Sequence, residues 1–222
     1  TNEPRTFAAS GLPPGIGINP TTGVVSGTPS AKGIYRVTAS AGNAAGTASA
    51  PWLLTVLPKA PVLLTGGSQV LATLGTPFQY SLSVQNGPAE FAANGLPAGL
   101  ALDVQTGTIA GVPSAPGAYI VNLTAYNEGG VSTGTLAVNV VPPAPVVSGS
   151  LAVSAKVTVP FSYRIVASNS PTRYAASNLP LWLALDAAKG VLSGTPNTVG
   201  TFTIPMEAVN DGGTGRASLV LS

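Results

Sequence analysis

The sequence predicts an all-β chain made of three tandem copies of one sandwich unit, the first copy lacking its start. Three observations carry this. Five landmarks recur along the 222 residues at one pair of offsets, 84 and 83 residues. Apolar and polar residues alternate with period two over several stretches, the pattern of a half-buried strand. Gly (27) and Pro (21) are plentiful, which favours turns and short strands over helices.

The landmarks are Phe7, Phe91 and Tyr174; Leu12-Pro13, Leu96-Pro97 and Leu179-Pro180; Gly27-Thr28-Pro29, Gly111-Val112-Pro113 and Gly194-Thr195-Pro196; Tyr35, Tyr119 and Phe202; Asn43, Asn127 and Asn210. Five independent landmarks with shared offsets mark an internal repeat. Between them the strands are legible. Phe78, Tyr80, Leu82 and Val84 alternate as one strand, echoed by Phe161, Tyr163 and Ile165. Asn19 to Gly23, Asp103 to Gly107 and Asp186 to Gly190 each open on Asn or Asp and close on Gly. The opening side chain bonds amides ahead of it, as in an Asx-turn. Tyr119, Val121, Leu123 and Ala125 form an apolar strand face, as do Phe202, Ile204, Met206 and Ala208. Pro205 on the outer side of the latter predicts an edge position or a bulge. Asn127-Glu128-Gly129-Gly130 and Asn210-Asp211-Gly212-Gly213 read as hairpin turns.

These elements divide the chain into units at 1–57, 61–141 and 145–222, with Pro-rich linkers at 58–60 and 142–144. Pro-rich linkers are extended and semi-rigid, which predicts an elongated rod. Projecting the offset back from Pro61 places the start of the first unit ahead of Thr1. About two strands' worth of that unit is then absent, including the counterpart of Phe78 to Val84. Three expectations follow: a piece trimmed from a longer chain, a unit completed by strands from another chain, or a divergent short first domain. The chain also opens without an initiator Met, consistent with a processed or trimmed piece.

Composition excludes several functions. With no Cys and no His, thiol nucleophiles, His-based triads, zinc sites and disulfides are all ruled out. The seven acids are Glu3, Glu90, Asp103, Glu128, Asp186, Glu207 and Asp211. Asp103 and Asp186 are equivalent turn residues, and Glu128 and Asp211 equivalent hairpin residues. Positions that recur with the fold are explained by turns rather than by a carboxylate pair for catalysis. Ser26-Gly27 lacks the strand-Ser-helix setting of a nucleophile elbow. Charged residues are 7% of the chain and net charge is +2. No Lys/Arg cluster marks a nucleic-acid surface, and no apolar run is long enough for membrane insertion. The sparse charge offers little resistance to self-association. Net charge is +3 over residues 1–59, −3 over 60–143 and +2 over 144–222, an alternation that chance explains as well as staggered packing of neighbouring chains does.

Gly11-Leu12-Pro13-Pro14-Gly15, the run from Asn19 through Gly23-Val24-Val25-Ser26-Gly27-Thr28-Pro29, then Tyr35 and Asn43-Ala44-Ala45-Gly46, with their two recurrences, resemble the bacterial Putative Ig domain family. That family is similar to the dystroglycan-type cadherin-like domains. The resemblance covers essentially the whole chain. It implies tandem Ig-like or cadherin-like β-sandwich repeats, used as spacer or adhesive modules in large secreted or cell-surface proteins, with no catalytic residues and no cofactor. Cadherins gather carboxylates for Ca²⁺ between domains, whereas the two linkers here carry only Lys59 and no acid.

Among single residues, Trp182 stands where the other copies have Gly15 and Gly99. It is a candidate contact for a sugar ring or a protein; the competing reading has it cover its own unit's end or pack on a neighbouring repeat. Tyr126, on an outer strand face, is a second candidate contact. Trp52 aligns with Leu136, which predicts a core position. Asn122-Leu123-Thr124 is the one N-x-S/T tripeptide, with Asn122 facing outward. The expected function is a non-catalytic structural segment of an extracellular or cell-surface bacterial protein, of stalk, fibre or surface-layer type, able to pack on itself. The alternative is an adhesive or glycan-binding module of a large adhesin or a secreted polysaccharide-acting enzyme.

Overall fold

The computed structural model describes residues 3–65, 67–88 and 90–222. Thr1 and Asn2, the start of the expected first unit, lie outside them, as do Gly66 and Ala89. All regular elements among the described residues are strands, and no helix is long and apolar enough to cross a membrane.

Unit 1 contains β1 (Thr6–Ser10), β2 (Ile16–Ile18), β3 (Val25–Gly27), β4 (Gly33–Asn43) and β5 (Gly46–Val56). Unit 2 contains β6 (Val62–Leu63), β7 (Ser68–Thr73), β8 (Phe78–Ser81), β9 (Val84–Gln85), β10 (Glu90–Asn94), β11 (Leu100–Asp103), β12 (Thr108–Gly111), β13 (Gly117–Asn127) and β14 (Gly130–Val141). Unit 3 repeats that series as β15 (Val147–Ser148), β16 (Ala152–Val153), β17 (Phe161–Arg164), β18 (Val166–Ala167), β19 (Arg173–Ala176), β20 (Leu183–Asp186), β21 (Val191–Gly194), β22 (Phe202–Asn210) and β23 (Gly213–Leu221).

In unit 2 one sheet has the order β10-β13-β14-β7 and the other β11-β12-β8, with β6 paired to β9 at one end. Unit 3 matches strand for strand: β19-β22-β23-β16, β20-β21-β17 and β15-β18. β7 and β16 run parallel to the last strand of their units, and the other pairs are antiparallel. Two sheets packed through inward-facing alternate residues, with connections that cross between them, make an Ig-type sandwich. Among the described residues, unit 1 has β1-β4-β5 and β2-β3 alone. Each of its sheets therefore ends one strand early, at β5 and at β3.

The cores follow from this. Leu123, Leu136, Val138 and Ile109 meet between the sheets of unit 2, and Ile204, Met206, Leu192 and Leu219 between those of unit 3; none is more than 1% exposed. In unit 1, Val37 is buried like its counterpart Val121. Its neighbours are not. Val25 is 37% exposed where Ile109 and Leu192 are 0%, and Trp52 is 38% exposed where Leu136 is 0%. The expected core position of Trp52 is thus corrected. It pairs with Val37 across β4 and β5 and faces inward, but the described residues of unit 1 include no counterpart of β7 and β8 to cover it.

Two further expectations change. The single strand read from Phe78 to Val84 is broken: β8 pairs with β12, whereas β9 pairs with β6. The chain switches partner at Leu82, whose amide donates to Gly107 O at 3.0 Å, and at Ile165, which donates to Gly190 O at 2.8 Å. Both side chains stay in the core. A local break lets one strand serve two sheet edges. Pro205, expected at an edge or a bulge, sits in β22, between β19 and β23. Its carbonyl accepts from Ser177 N at 3.0 Å on the β19 side, and β19 has already ended at Ala176. The missing N–H is therefore not needed. In unit 2 the equivalent Asn122 does pair, with Asn94, and β10 runs one residue longer.

The Asx-turns form as expected. Oδ1 of Asn19, Asp103 and Asp186 each accepts two backbone amides, from Thr21 and Thr22, Gln105 and Thr106, and Ala188 and Lys189, at 2.9–3.1 Å. The closing glycines have φ of 70°, 68° and 67°. A β-carbon there would also enter the ring of Phe7, Phe91 or Tyr174, at 2.7–2.9 Å. One contact thus links the aromatic landmark to the turn. The amides of Gln105 and Thr106 hold the Asp103 carboxyl below the usual carboxylate range, and the amide and side chain of Lys189 do the same for Asp186. A carboxyl whose pKa is lowered by folding stabilises the fold above its unfolded pKa, about 3.9, and loses that contribution as pH falls through the folded value. Acidification below about pH 4 should therefore loosen these two turns and leave the uncharged Asn19 turn unaffected. Amide exchange followed downward from about pH 5 in parent and Asp103→Asn checks this. The variant should lose the acid sensitivity at Gln105 and Thr106.

Candidate functional site

Trp182 is half-buried at the end of unit 3 that carries Ser222. Its ring meets Phe161 and Phe202 edge-on, at centroid separations of 6.4 and 6.2 Å and interplanar angles of 86° and 81°. Glycines Gly15 and Gly99 hold φ of 88° and 89° at this position. Trp182 is not among the positive-φ residues, so the loop is rebuilt around it and the indole folds back over its own unit. Its Nε1 is buried without a hydrogen-bond partner. The neighbouring Leu181 is fully exposed (106%), and Val199 is 89% exposed. Trp182→Phe keeps the edge-on packing and removes the unpartnered N–H. We expect unit 3 of that variant to melt within about 1 kcal/mol of the parent, because the smaller ring's packing loss and the relieved polar atom offset each other.

Tyr126 lies on the outer face of β13, opposite Glu90 of β10. Its hydroxyl donates to the Glu90 carboxylate, which raises the phenol pKa. The structure does not bring the two candidate contacts together, since they belong to different units. Asn122 is exposed on the same outer face as Tyr126. Among the described residues there is no group of three Asp, Glu, His or Cys side chains.

The most organised polar chemistry sits at the joints. In unit 2, Asn127 Oδ1 accepts from Gly129 N at 2.8 Å, while its Nδ2 donates to Lys59 O at 2.9 Å and to Asn86 O at 3.1 Å. Asn86 Nδ2 in turn donates to Ala60 O at 2.8 Å. Unit 3 repeats the clamp. Asn210 bonds Gly212 N, Pro143 O and Asn169 O at 2.7–2.8 Å, and Asn169 Nδ2 donates to Ala144 O at 2.7 Å. The linker backbone lies directly on the hairpin glycine: a β-carbon at Gly129 would stand 1.9 Å from Pro58 O, and one at Gly212 1.7 Å from Pro142 O. Only Leu57 separates the end of β5 from the clamped Pro58. No residue separates β14, whose last carbonyl at Val141 accepts from Leu74 N at 2.8 Å, from the clamped Pro142. Clefts of about 400 and 260 Å³ flank the joints, one lined by Lys32, Leu57 and Glu128, the other by Leu74, Asn169 and Asp211. Each carries a single acid.

A run of Ig-type sandwiches, the second and third each clamping the linker that enters it, defines a tandem Ig-like repeat protein. The chain belongs to the Putative Ig domain family, whose profile matches residues 1–57, 60–141 and 144–222. It is similar to the serine-rich adhesin for platelets of Staphylococcus aureus: 29% identical over 163 residues in strain N315, covering 70% of this chain, and 33% over 125 residues in strain MRSA252, covering 54%. The chain spans only 7–9% of those adhesins. Among solved structures it resembles the I67–I69 fragment of the titin I-band, with a TM-score of 0.56 at 13% identity, over 97% of this chain and 87% of that one. Domains 3–5 of Drosophila OTK align with a TM-score of 0.50 at 14% identity, over 99% and 86%. These two likenesses show the tandem Ig fold.

Proposed function

We propose that this chain is a stiff, non-catalytic spacer segment of a bacterial cell-surface or extracellular protein. The observation that carries this is the joint: the last strand of one unit and the clamp of the next are separated by at most one residue, Leu57. Bending at a joint must therefore break Asn–carbonyl hydrogen bonds, each worth about 0.5–1.5 kcal/mol, which a flexible linker would not oppose. The family, and the adhesin repeats the chain resembles, support a surface location. Small-angle scattering tests the reading. A single narrow distribution of maximum dimension, close to three units end to end, is expected; a broad distribution would overturn it.

An adhesive role is the second reading, favoured by the likeness to a platelet adhesin. Its contact would be the end of unit 3, where exposed Leu181 and Val199 flank Trp182, with Tyr126 as a separate candidate. Loss of glycan or cell-surface binding on Leu181→Ser would support it, and unchanged binding would remove that surface. End-to-end packing of copies is compatible with the sparse charge, and sedimentation across concentrations reads it directly.

A further inference from the structure

The two clamps share their main bonds and differ in one residue that bears on their chemical lifetime. Asn86 of unit 2 and Asn169 of unit 3 each reach the entering linker, Nδ2 donating to Ala60 O at 2.8 Å and to Ala144 O at 2.7 Å. Both have left-handed backbone, with φ of 64° and 58°, which asparagine tolerates. The next residue is Gly87 in unit 2 and Ser170 in unit 3, left-handed again at 54° and 49°. Gly87 stands in open space, since a β-carbon there would meet nothing within 4 Å. Asn86 and Gly87 are both exposed and lie outside any strand.

An asparagine followed by glycine sits beside its own nucleophile. The backbone nitrogen of the next residue closes a succinimide ring on the side-chain Cγ, and a β-carbon on that residue crowds the approach; glycine has none. Asparagine is accordingly among the thermolabile residues. The chain has one other Asn-Gly pair, Asn94-Gly95. Asn94 is held in β10, opposite Asn122 of β13, and a β-carbon at Gly95 would stand 2.7 Å from Ile120 O. That backbone cannot turn Gly95 N onto Cγ without leaving the sheet.

We propose that Asn86 is a self-modification site whose reaction loosens the joint between units 1 and 2. Gly87 N bonds to Cγ of Asn86. The Cγ–Nδ2 bond breaks, and Nδ2 leaves as ammonia with the proton from Gly87 N. Water then opens the ring at Cγ to give aspartate, or at the main-chain carbonyl carbon to give isoaspartate. The net change is amide and water to carboxylic acid and ammonia, with no oxidant or reductant. In either product the donor to Ala60 O is gone and a carboxylate stands in its place. The isoaspartyl form also displaces the Asn86 carbonyl, which accepts from Asn127 Nδ2 at 3.1 Å. In the closed clamp the bond to Ala60 O restrains Cγ, and one net hydrogen bond slows ring closure by about tenfold at most. Bending releases that bond, so the site reacts faster when the joint opens and then keeps it open. The effect on shape rests on the stiff-joint reading; the chemistry at Asn86 does not.

The whole chain, held at mildly alkaline pH and mapped by peptide mass spectrometry, gives the rates at three asparagines. Modification is expected at Asn86 ahead of Asn94 and Asn169. Gly87→Ser should lower the rate at Asn86 to that at Asn169, and Ser170→Gly should raise Asn169 to the rate of Asn86. Each variant takes the sister unit's own residue at nearly the same φ, so the turn is kept. Gly129→Ala would set a β-carbon 1.9 Å from Pro58 O and part the linker from the clamp; it should raise the rate at Asn86 by up to about tenfold. An intact Asn86, equal rates at the three sites, Asn94 reacting first, or swaps without effect would overturn the site. No acceleration in Gly129→Ala would overturn the coupling to bending. Asn86→Asp should widen the distribution of angles between units 1 and 2 in scattering, and a distribution as narrow as the parent's would overturn the loosening. A parent already broad would overturn the stiff joint and the loosening with it, while the order of rates still tests the site.

Discussion

Leu192→Ala will cost unit 3 about 2–5 kcal/mol, and the equivalent Val25→Ala will cost unit 1 less than about 1 kcal/mol. The two residues hold one position in the repeat and differ in what covers them. Leu192 is 0% exposed among Ile165, Leu183 and the residues of β22 and β23. Removing its side chain forfeits the transfer energy and leaves a cavity that a close-packed interior fills only in part. Val25 is 37% exposed, so its truncation mostly returns surface to water. The chain reports on both units separately, because Trp52 belongs to unit 1 and Trp182 to unit 3. Denaturant melts of the two variants, each read at its own tryptophan, give the comparison. Three units need not unfold together, so each transition is fitted by itself. Ile109→Ala in unit 2 should match Leu192→Ala within the spread that cavity collapse allows, read by amide exchange because unit 2 has no tryptophan. Equal losses at Val25 and Leu192 would mean that the inner face of unit 1 is covered in solution.

What the sequence made legible was whatever depends on nearest neighbours along the chain. Period-two alternation located the long strands β13 and β22, because alternate side chains of a pleated strand face opposite sides. Asn19, Asp103 and Asp186 announced their turns, since an Asx side chain bonds amides two and three residues on. What stayed hidden depends on partners distant in sequence. The break at Leu82 is set by β6 and β12 competing for one strand, which local alternation does not encode. Pro205 looked like an edge residue because its own strand gave no sign that β19 stops at Ala176. Trp52 aligned with a core leucine, and its exposure follows from the described residues of unit 1 including no strands like β7 and β8 over it. Trp182 left both readings open, and the aromatic neighbours that hold it, Phe161 and Phe202, come from two other strands. At the joint, turn chemistry and proline content give a hairpin and a semi-rigid linker but not the contact between them. The signal that its glycines serve the linker was present, though faint. Gly129 and Gly212 occur where a linker enters the unit, and Ala45 occurs in the one unit whose described residues include no such linker.

That signal makes Gly212 the position at which a single methyl group should alter the behaviour of the whole chain. Gly212→Ala places a β-carbon 1.7 Å from Pro142 O and 2.9 Å from its carbonyl carbon. Both are backbone atoms, tied on one side to β14 and on the other to the clamp, so neither can rotate away as a side-chain tip would. The linker must lift, and with it go the bonds from Asn210 to Pro143 O and from Asn169 to Ala144 O. Overpacking of this kind costs about 1–3 kcal/mol, and unit 3 should lose stability by that amount. The larger consequence is mechanical. With the clamp open, residues 142–144 become a free linker, and the distribution of angles between units 2 and 3 should widen in scattering or in residual dipolar couplings. Gly129→Ala should do the same between units 1 and 2. The opposite change, Ala45→Gly, touches no clamped linker and should act only through the backbone entropy of glycine, costing unit 1 about 0.5–1 kcal/mol with no change in shape. If Gly212→Ala destabilised unit 3 and left the angular distribution narrow, stiffness would have to come from the faces that line the cleft at Leu74 and Asp211 rather than from the clamp.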